Sequence, residues 1–437
     1  MDSSRRKFLG SSGLILTGMA LPVWARGSSP FNIFNSNVGT WPILQAATDA
    51  NSATINILHG RAESLSFQVT GGVTPARVGM TQRHDLAGGS NCITEVLVTG
   101  LVGGMDYQLE VRSAAGKRDL HTFRSLEAKG DQCRFAVLSC MNDSYTEKAT
   151  TMWQALAKEN CDFVVFLGDT VYADSDNPNR DEAGYARRYS EARALLYWFR
   201  MPRLVPSFAT WDDHDYGLNN SDRSFPMREY TKSLFRSFWG AMPNSLWTPG
   251  LGVSSSFRAF GQRFFLFDDR SFRDAPGIRG GKHWGVEQTD WLMTELTSSS
   301  EPAWLLNGSQ FFGAYLGKES FEGNYADDFQ DVLRRLSRVN APLAFVSGDI
   351  HFSEIMEIER EILGYPTYEF TSSSMHSLNL PFMDDFTNNP RRVVSSWHHN
   401  FLVFDAKAEA REWKIRCRSV REGNRVAFSR DLSIHRT

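Results

Sequence analysis

The chain has little cysteine. Its five thiols, Cys92, Cys133, Cys140, Cys161 and Cys417, are scattered and odd in number over 437 residues. Such usage excludes a disulfide framework; one bridge is compatible with it, and at least one thiol is left over. Charge of neither sign is in excess: 47 Lys and Arg stand against 50 Asp and Glu, a formal net charge of -3. A general nucleic-acid binder would show a basic excess, so no nucleic-acid surface is expected. There is no long like-charge run, no low-complexity segment and no internal repeat. Beyond the N-terminal region no apolar run reaches the ~20 residues of a membrane span. No Gly-x-Gly-x-x-Gly or P-loop pattern occurs. Ser309 lacks the Gly-x-Ser-x-Gly elbow of a hydrolase nucleophile.

The length exceeds the ~250–300 residues at which one hydrophobic core stops growing, so more than one domain is expected. At the N-terminus, Arg5-Arg6-Lys7-Phe8-Leu9 forms a twin-arginine pattern, followed by an apolar stretch from Leu14 to Trp24. Val23 and Ala25 stand where a signal peptidase reads small residues. Residues 1–25 therefore read as a twin-arginine signal peptide. The twin-arginine export machinery is the implied partner, and the mature chain is expected in the periplasm or secreted.

From 30 to 128 the pattern has period two. Leu65-Phe67-Val69, Thr94-Val96-Val98 and Tyr107-Leu109-Val111 alternate with other residues, between Gly-Gly turns. Short alternating strands of this kind predict a β-sandwich. The stretch from Thr99 to Val111 resembles the late strands of fibronectin type III modules, with Tyr107 placed for a tyrosine corner.

From 131 to 437 strands and helices alternate, which predicts an α/β fold of layered sheets and helices. Strands are expected at 135–139, 163–167, 208–210, 263–267, 303–306 and 343–346. Helices are expected at 147–160, 182–201, 228–239, 287–296 and 327–339. The tail from 400 onward returns to alternating strands, read as an edge of the same domain. The aromatic residues Tyr185, Tyr189, Tyr197, Trp198 and Phe199 are read as helix core.

Polar residues able to bind metal cluster directly after the buried strands. They are Ser139-Cys140-Met141-Asn142-Asp143, Gly168-Asp169 through Tyr172 to Asp174, Asp212-Asp213-His214-Asp215, Asp268-Asp269-Arg270 and Gly348-Asp349-Ile350-His351. A single Gly-Asp or Asp-Asp-His is ordinarily a turn or a solvated loop. Five such motifs at five strand ends point instead to one crevice at the carboxyl edge of a sheet. Carboxylates with His, a phenol and a thiol suit Fe³⁺, Mn²⁺, Zn²⁺ or Ca²⁺. Two ions ~3.5–4 Å apart neutralise charge on a transferring phosphoryl group, and Asp169 is the candidate bridge. Cys140 is not a tyrosine-phosphatase nucleophile, since that loop needs Arg six residues on and position 146 is Thr.

These motifs resemble the PhoD-like alkaline phosphatases, a branch of the calcineurin-like metallophosphoesterases. Gly168-Asp169 with Tyr172 is similar to the second motif as purple acid phosphatases extend it. Asp213-His214 stands in the place of the third motif's Asn-His, with Asp212 for Gly. Gly348-Asp349-Ile350-His351 resembles the last motif, Gly-His-x-His, and Ser139-Cys140 replaces the usual Asp-x-His. The resemblance implies an exported hydrolase of phosphate mono- or diesters, in which a hydroxide held by the metals attacks phosphorus. It implies metal ligation by Cys140, Asp169, Tyr172, Asp213, Asp268, Asp349 and His351. Cys140 and Tyr172 would bind Fe³⁺, and one or two divalent ions would complete the set. Ca²⁺ is expected there, with Mn²⁺, Mg²⁺ or Zn²⁺ as alternatives, because Asp at 213 and 349 makes the second site all-oxygen. His214, Asp169 and Arg270 form the implied catalytic group, with His214 serving the leaving group and Asp215 beside it to orient the ring. The fourth-motif ligand stays open among Asn307, Gln310 and His376. The substrate is a phosphate ester and a monomer is expected. The alternative is an exported, non-catalytic metal-binding protein on the same fold.

Overall fold

The computed structural model describes residues 39–177, 180–242, 246–315 and 317–435. The signal-peptide segment and its two arginines lie outside them. Among the described residues no helix is long and apolar enough to cross a membrane.

The period-two segments form two antiparallel sheets. One is ordered β1 (Ile43–Ala46), β2 (Ser52–Gly60), β5 (Asn91–Thr99), β4 (Arg77–Asp85), and the other β3 (Leu65–Gly71), β6 (Asp106–Ser113), β7 (Arg118–Arg124). Alternate residues meet between them: Ile55, Ile57, Val96 and Val98 from one face, Leu109, Val111 and Phe123 from the other. The Tyr107 hydroxyl accepts the Val102 amide at 2.8 Å, a tyrosine-corner contact at the expected residue. Sandwich and α/β region pack as one compact unit. Asn56 donates to the Ser237 carbonyl at 3.0 Å, and Glu95 accepts the Ala241 amide at 2.7 Å.

The α/β region holds two mixed sheets. The first is ordered β10 (Ser207–Thr210), β9 (Phe163–Leu167), β8 (Gln132–Leu138), β18 (Phe401–Ala408), β19 (Trp413–Val420), β20 (Val426–Ile434). The second runs β11 (Ser255–Ala259), β12 (Gln262–Leu266), β13 (Ala303–Leu306), β14 (Leu343–Ser347), β16 (Thr367–Thr371), β15 (Ser353–Ile358), β17 (Arg392–Ser396). Strands β8, β9 and β10 are parallel, as are β12, β13, β14 and β16, so their carboxyl ends fall on one edge of each sheet. The strands are buried on both faces, which explains their unbroken apolar runs.

Aromatic residues fill the space between the sheets. Phe135 stacks on Phe163 at 5.0 Å and meets Phe264 and Trp304 edge-on at 5.4 and 5.1 Å. Each such ring stabilises the fold by roughly 1.5–3 kcal/mol through area removed from water. Helices Thr146–Lys158, Glu182–Leu195 and Arg228–Trp239 pack on the other face of the first sheet, where Trp153, Tyr185, Tyr189 and Phe235 join Leu138 and Phe166. The expected 182–201 helix breaks at Leu196, whose ψ of 127° is extended, and resumes as a short 3₁₀ turn at Tyr197–Arg200. That turn still carries Trp198 and Phe199 into the same core. The tail differs from expectation: β18 pairs with both β8 and β19 inside the first sheet, and only β20 is an edge. All five cysteines are buried and free.

Candidate metal centre

The loops after the parallel strands are drawn together by backbone contacts. Gly168 follows β9 with φ +81°, and a Cβ there would lie 2.3 Å from the Asp212 Cβ. Gly348 follows β14, where a Cβ would come within 2.8 Å of Ser139. Any side chain at either position would push the second or the last motif off its neighbour. Met141 donates its amide to the Asp169 carbonyl at 2.8 Å, and Ala173 donates to the His214 carbonyl at 3.0 Å.

Four expected ligands sit in the left-handed region: Cys140 at φ 54°, Asp169 at 51°, Asp349 at 68° and His351 at 62°. Non-glycine residues pay for that conformation in strain, and such residues concentrate at functional sites. Here the strained residues lie on three loops, after β8, β9 and β14, that meet at one place.

Two ligand groups result. The donor atoms of Cys140, Asp169 and His351 lie within 4.8 Å of one another, and so do those of Asp169, Asp213 and His214. Asp169 belongs to both. Cys140 Sγ is 3.7 Å from Asp169 Oδ2 and accepts the Ser373 hydroxyl at 3.2 Å. His351 Nδ1 donates to the Leu378 carbonyl at 2.5 Å, which leaves Nε2 as the lone-pair nitrogen. Burial and the Lys318 charge hold the imidazole at about 3, so it is neutral, as a ligand must be.

Negative charge is crowded here. Burial raises the Asp169 pKa well above the carboxylate range; His214 opposes this, while Asp213, Asp215 and Asp349 raise it further. Burial also lifts Asp349 to about 6, against Lys318. Asp213 is the exception: burial would raise it, but Arg270, His214 and the Asn220 amide hold it at about 2. Burial, then Asp169 and Asp349, push the Cys140 thiol up. Carboxylates, a thiol and a neutral imidazole enclosed together are a costly set unless cations offset them. The residues therefore fit metal ions.

His214 is the third member of the second group. Its Nδ1 is 2.8 Å from Asp174 Oδ1, and its ring stacks on Tyr172 with centroids 4.2 Å apart. Burial lowers its pKa, but Asp169, Asp213 and Asp174 more than reverse this, to about 10. The Tyr172 hydroxyl is 2.8 Å from Ser377 Oγ. Asp215 does not orient the ring. Its two oxygens accept the Val171 and Asp212 amides at 2.9 and 3.2 Å, closing a capping box on the short helix Asp213–Tyr216. Asp174 takes the expected role instead; it was visible at the end of the second motif, without a signal that set it opposite His214.

Two further expectations are corrected by geometry. Both Asp268 oxygens are occupied: Oδ1 accepts Trp211 Nε1 and the Arg270 and Ser271 amides at 2.8–3.0 Å, and Oδ2 accepts the Val253 amide at 3.0 Å. It joins neither ligand group and braces the loop after β12. Arg270 is fully enclosed, with Nε 2.6 Å from Asp212 Oδ1 and Nη1 2.8 Å from Glu319. Its guanidinium is taken up by Asp212 and Glu319, which fixes Asp212 next to Asp213. Of the three fourth-motif candidates, only Gln310 keeps an unpartnered oxygen, its buried Oε1. His376 is held by Trp153 and the Asn142 carbonyl, Asn307 by Trp284, Asp269 and Ser309, and the Gln310 amide by Glu354 and Thr371. Sequence reasoning also missed Glu319, which pairs with Arg270 and Arg273 and whose partners lie far away in the chain.

Comparison with known proteins gives the family and the fold. The family model described as PhoD-like phosphatase matches residues 135–410, more than half of the chain. No curated protein matches. Among solved structures, one titled as the structure of PhoD is similar with a TM-score of 0.64 and 17% identity, over 92% of this chain and 90% of that one. The purple acid phosphatase PPD1 from yellow lupin (Lupinus luteus) seeds has a TM-score of 0.63 and 14% identity, over 90% of this chain and 74% of its own. At these identities the likeness is one of fold.

Proposed function

The chain belongs to the PhoD-like phosphatase family, and from that premise, which makes it a phosphoric ester hydrolase, we propose an exported enzyme whose two cations share Asp169. The observation that carries the reading is the pair of ligand groups with Asp169 common to both. Cys140 and His351 supply the softer donors on one side, with Tyr172 beside them, which suits Fe³⁺ there. Asp213 and the shared Asp169 give the other side oxygen ligands, which suits Ca²⁺ or another hard divalent ion, whereas Asp349 and Tyr172, both expected as ligands, belong to neither group and stand as neighbours of the site. When bound, the cations would neutralise phosphoryl charge and lower the pKa of water.

The chain's own residues supply the rest. His214 donates a proton to the leaving-group oxygen from Nε2, while Asp174 holds Nδ1. Tyr172 keeps the ring flat against its face. Arg270, through Asp212, fixes the loop that presents Asp213 and His214. The family assignment sets aside the non-catalytic alternative. Export is supported by Arg5-Arg6 and the apolar stretch that follows.

The test is release of nitrophenol from nitrophenyl phosphate and from bis-nitrophenyl phosphate. Activity should disappear with chelator and return with iron plus calcium. Full activity in chelator would contradict the reading.

A further inference from the structure

Among the described residues few large apolar side chains are exposed, and three of them lie within five residues of each other. Leu378 is 44% exposed, Leu380 42% and Phe382 55%. The stretch is rooted in the metal centre. Ser377 Oγ contacts the Tyr172 hydroxyl at 2.8 Å, and the Leu378 carbonyl accepts His351 Nδ1 at 2.5 Å. Asn379 ties it down further, donating to the Trp397 carbonyl at 2.7 Å and accepting the Ser374 hydroxyl at 2.5 Å. The Phe382 ring packs against Trp397 with centroids 5.4 Å apart, so the exposed surface continues onto a second aromatic side chain.

Leaving such side chains in water forfeits apolar burial, and an exposed apolar patch beside a polar centre marks a binding surface. Its position says for what. His214 stacks on Tyr172, and Tyr172 contacts Ser377. Through the contacts His214–Tyr172–Ser377, this lip is the exposed apolar surface next to the oxygen that His214 serves, and the organic group of an ester can lie on it.

We propose that Leu378–Phe382 is the leaving-group subsite and that the substrates are phosphate esters of apolar alcohols. The inference rests on the phosphoesterase reading above and adds the substrate class.

The test compares kcat/KM for methyl, butyl, hexyl and octyl phosphate, all below micelle-forming concentrations, with a triethylene glycol monomethyl ether phosphate of matching length. The wild type should gain about twofold for each half-buried methylene, mainly through KM, and gain nothing from the glycol ester. The double variant Leu380→Ser/Phe382→Ser should lose most of that slope, and Leu380→Met/Phe382→Leu should keep it. Binding of octylphosphonate against methylphosphonate, followed by calorimetry, should show the same ratio without turnover. A wild type that hydrolyses methyl phosphate with no chain-length slope would overturn the inference and leave the enzyme reading intact. A wild type that hydrolyses none of the esters would overturn the enzyme reading itself. Flotation with phosphatidylcholine vesicles covers the other source of apolar contact. Binding lost in the serine variant, alongside a flat slope, would make the lip a bilayer contact and overturn the proposal.

Discussion

His214 Nδ1 and Asp174 Oδ1 lie 2.8 Å apart, although the two residues come from the ends of different strands. The contact fixes which nitrogen of the ring faces the substrate. A general acid contributes ~10²–10⁴-fold, most for the poorest leaving groups. His214→Ala should therefore cut turnover of alkyl phosphates far more than that of nitrophenyl phosphate, with metal content retained. Equal losses on both, or loss of metal, would make His214 a ligand.

Asp174→Asn weakens the same device. Burial lowers the His214 pKa, and Asp174 is one of three carboxylates that raise it to about 10. Bound cations draw it back down; removing the Asp174 charge lowers it further. An acid works below its pKa, so the alkaline limb of the kcat profile should move to lower pH in this variant. An unmoved limb would mean that the ring is not the titrating acid.

The crowded carboxylates also set a stability prediction for Arg270. It is enclosed between Asp212 and Glu319. Arg270→Met leaves Asp212 buried without its cation and Glu319 with Arg273 alone, at a cost of about 3–5 kcal/mol. A urea titration should show this loss, and an unchanged midpoint would show that the pair contributes nothing.

Asp119, in the sandwich, gives a pH dependence of known sign. Burial would raise its pKa, but His121 and the amides of Trp41 and Thr40 hold it at about 2, from an ordinary 3.8. A depressed carboxyl contributes its stability above the unfolded pKa and loses it as pH falls through the folded one. Asp119→Asn should cost about 2 kcal/mol near neutrality. The gap from wild type should begin to close below about pH 4. A gap constant from pH 6 to pH 3 would exclude the mechanism.

Much of this was legible in the sequence. The strands Phe163–Leu167 and Ala303–Leu306 and the helix Arg228–Trp239 were expected at the bounds observed, because burial on both faces or a strong 3.6 period leaves little freedom. The motif loops were legible as strand ends, and the structure brings Cys140 and His351 to one side of Asp169 and Asp213 and His214 into a second group with it. What local pattern could not reveal was partner choice. Asp268 looks like a ligand until Trp211 and three amides occupy its oxygens. Arg270 looks catalytic until Glu319, 49 residues on, closes over it. Sheet order was hidden for the same reason: β18 enters the first sheet beside β8 from more than 260 residues away.

Whether Asp169 is shared by two cations is decided by metal analysis of purified wild type and Asp169→Asn. A neutral amide cannot offset charge between two cations. At least two ions per wild-type chain are expected, iron among them, with both iron and divalent ion lost together with most activity in the variant. Wild-type metal content and activity in Asp169→Asn would contradict the sharing of Asp169.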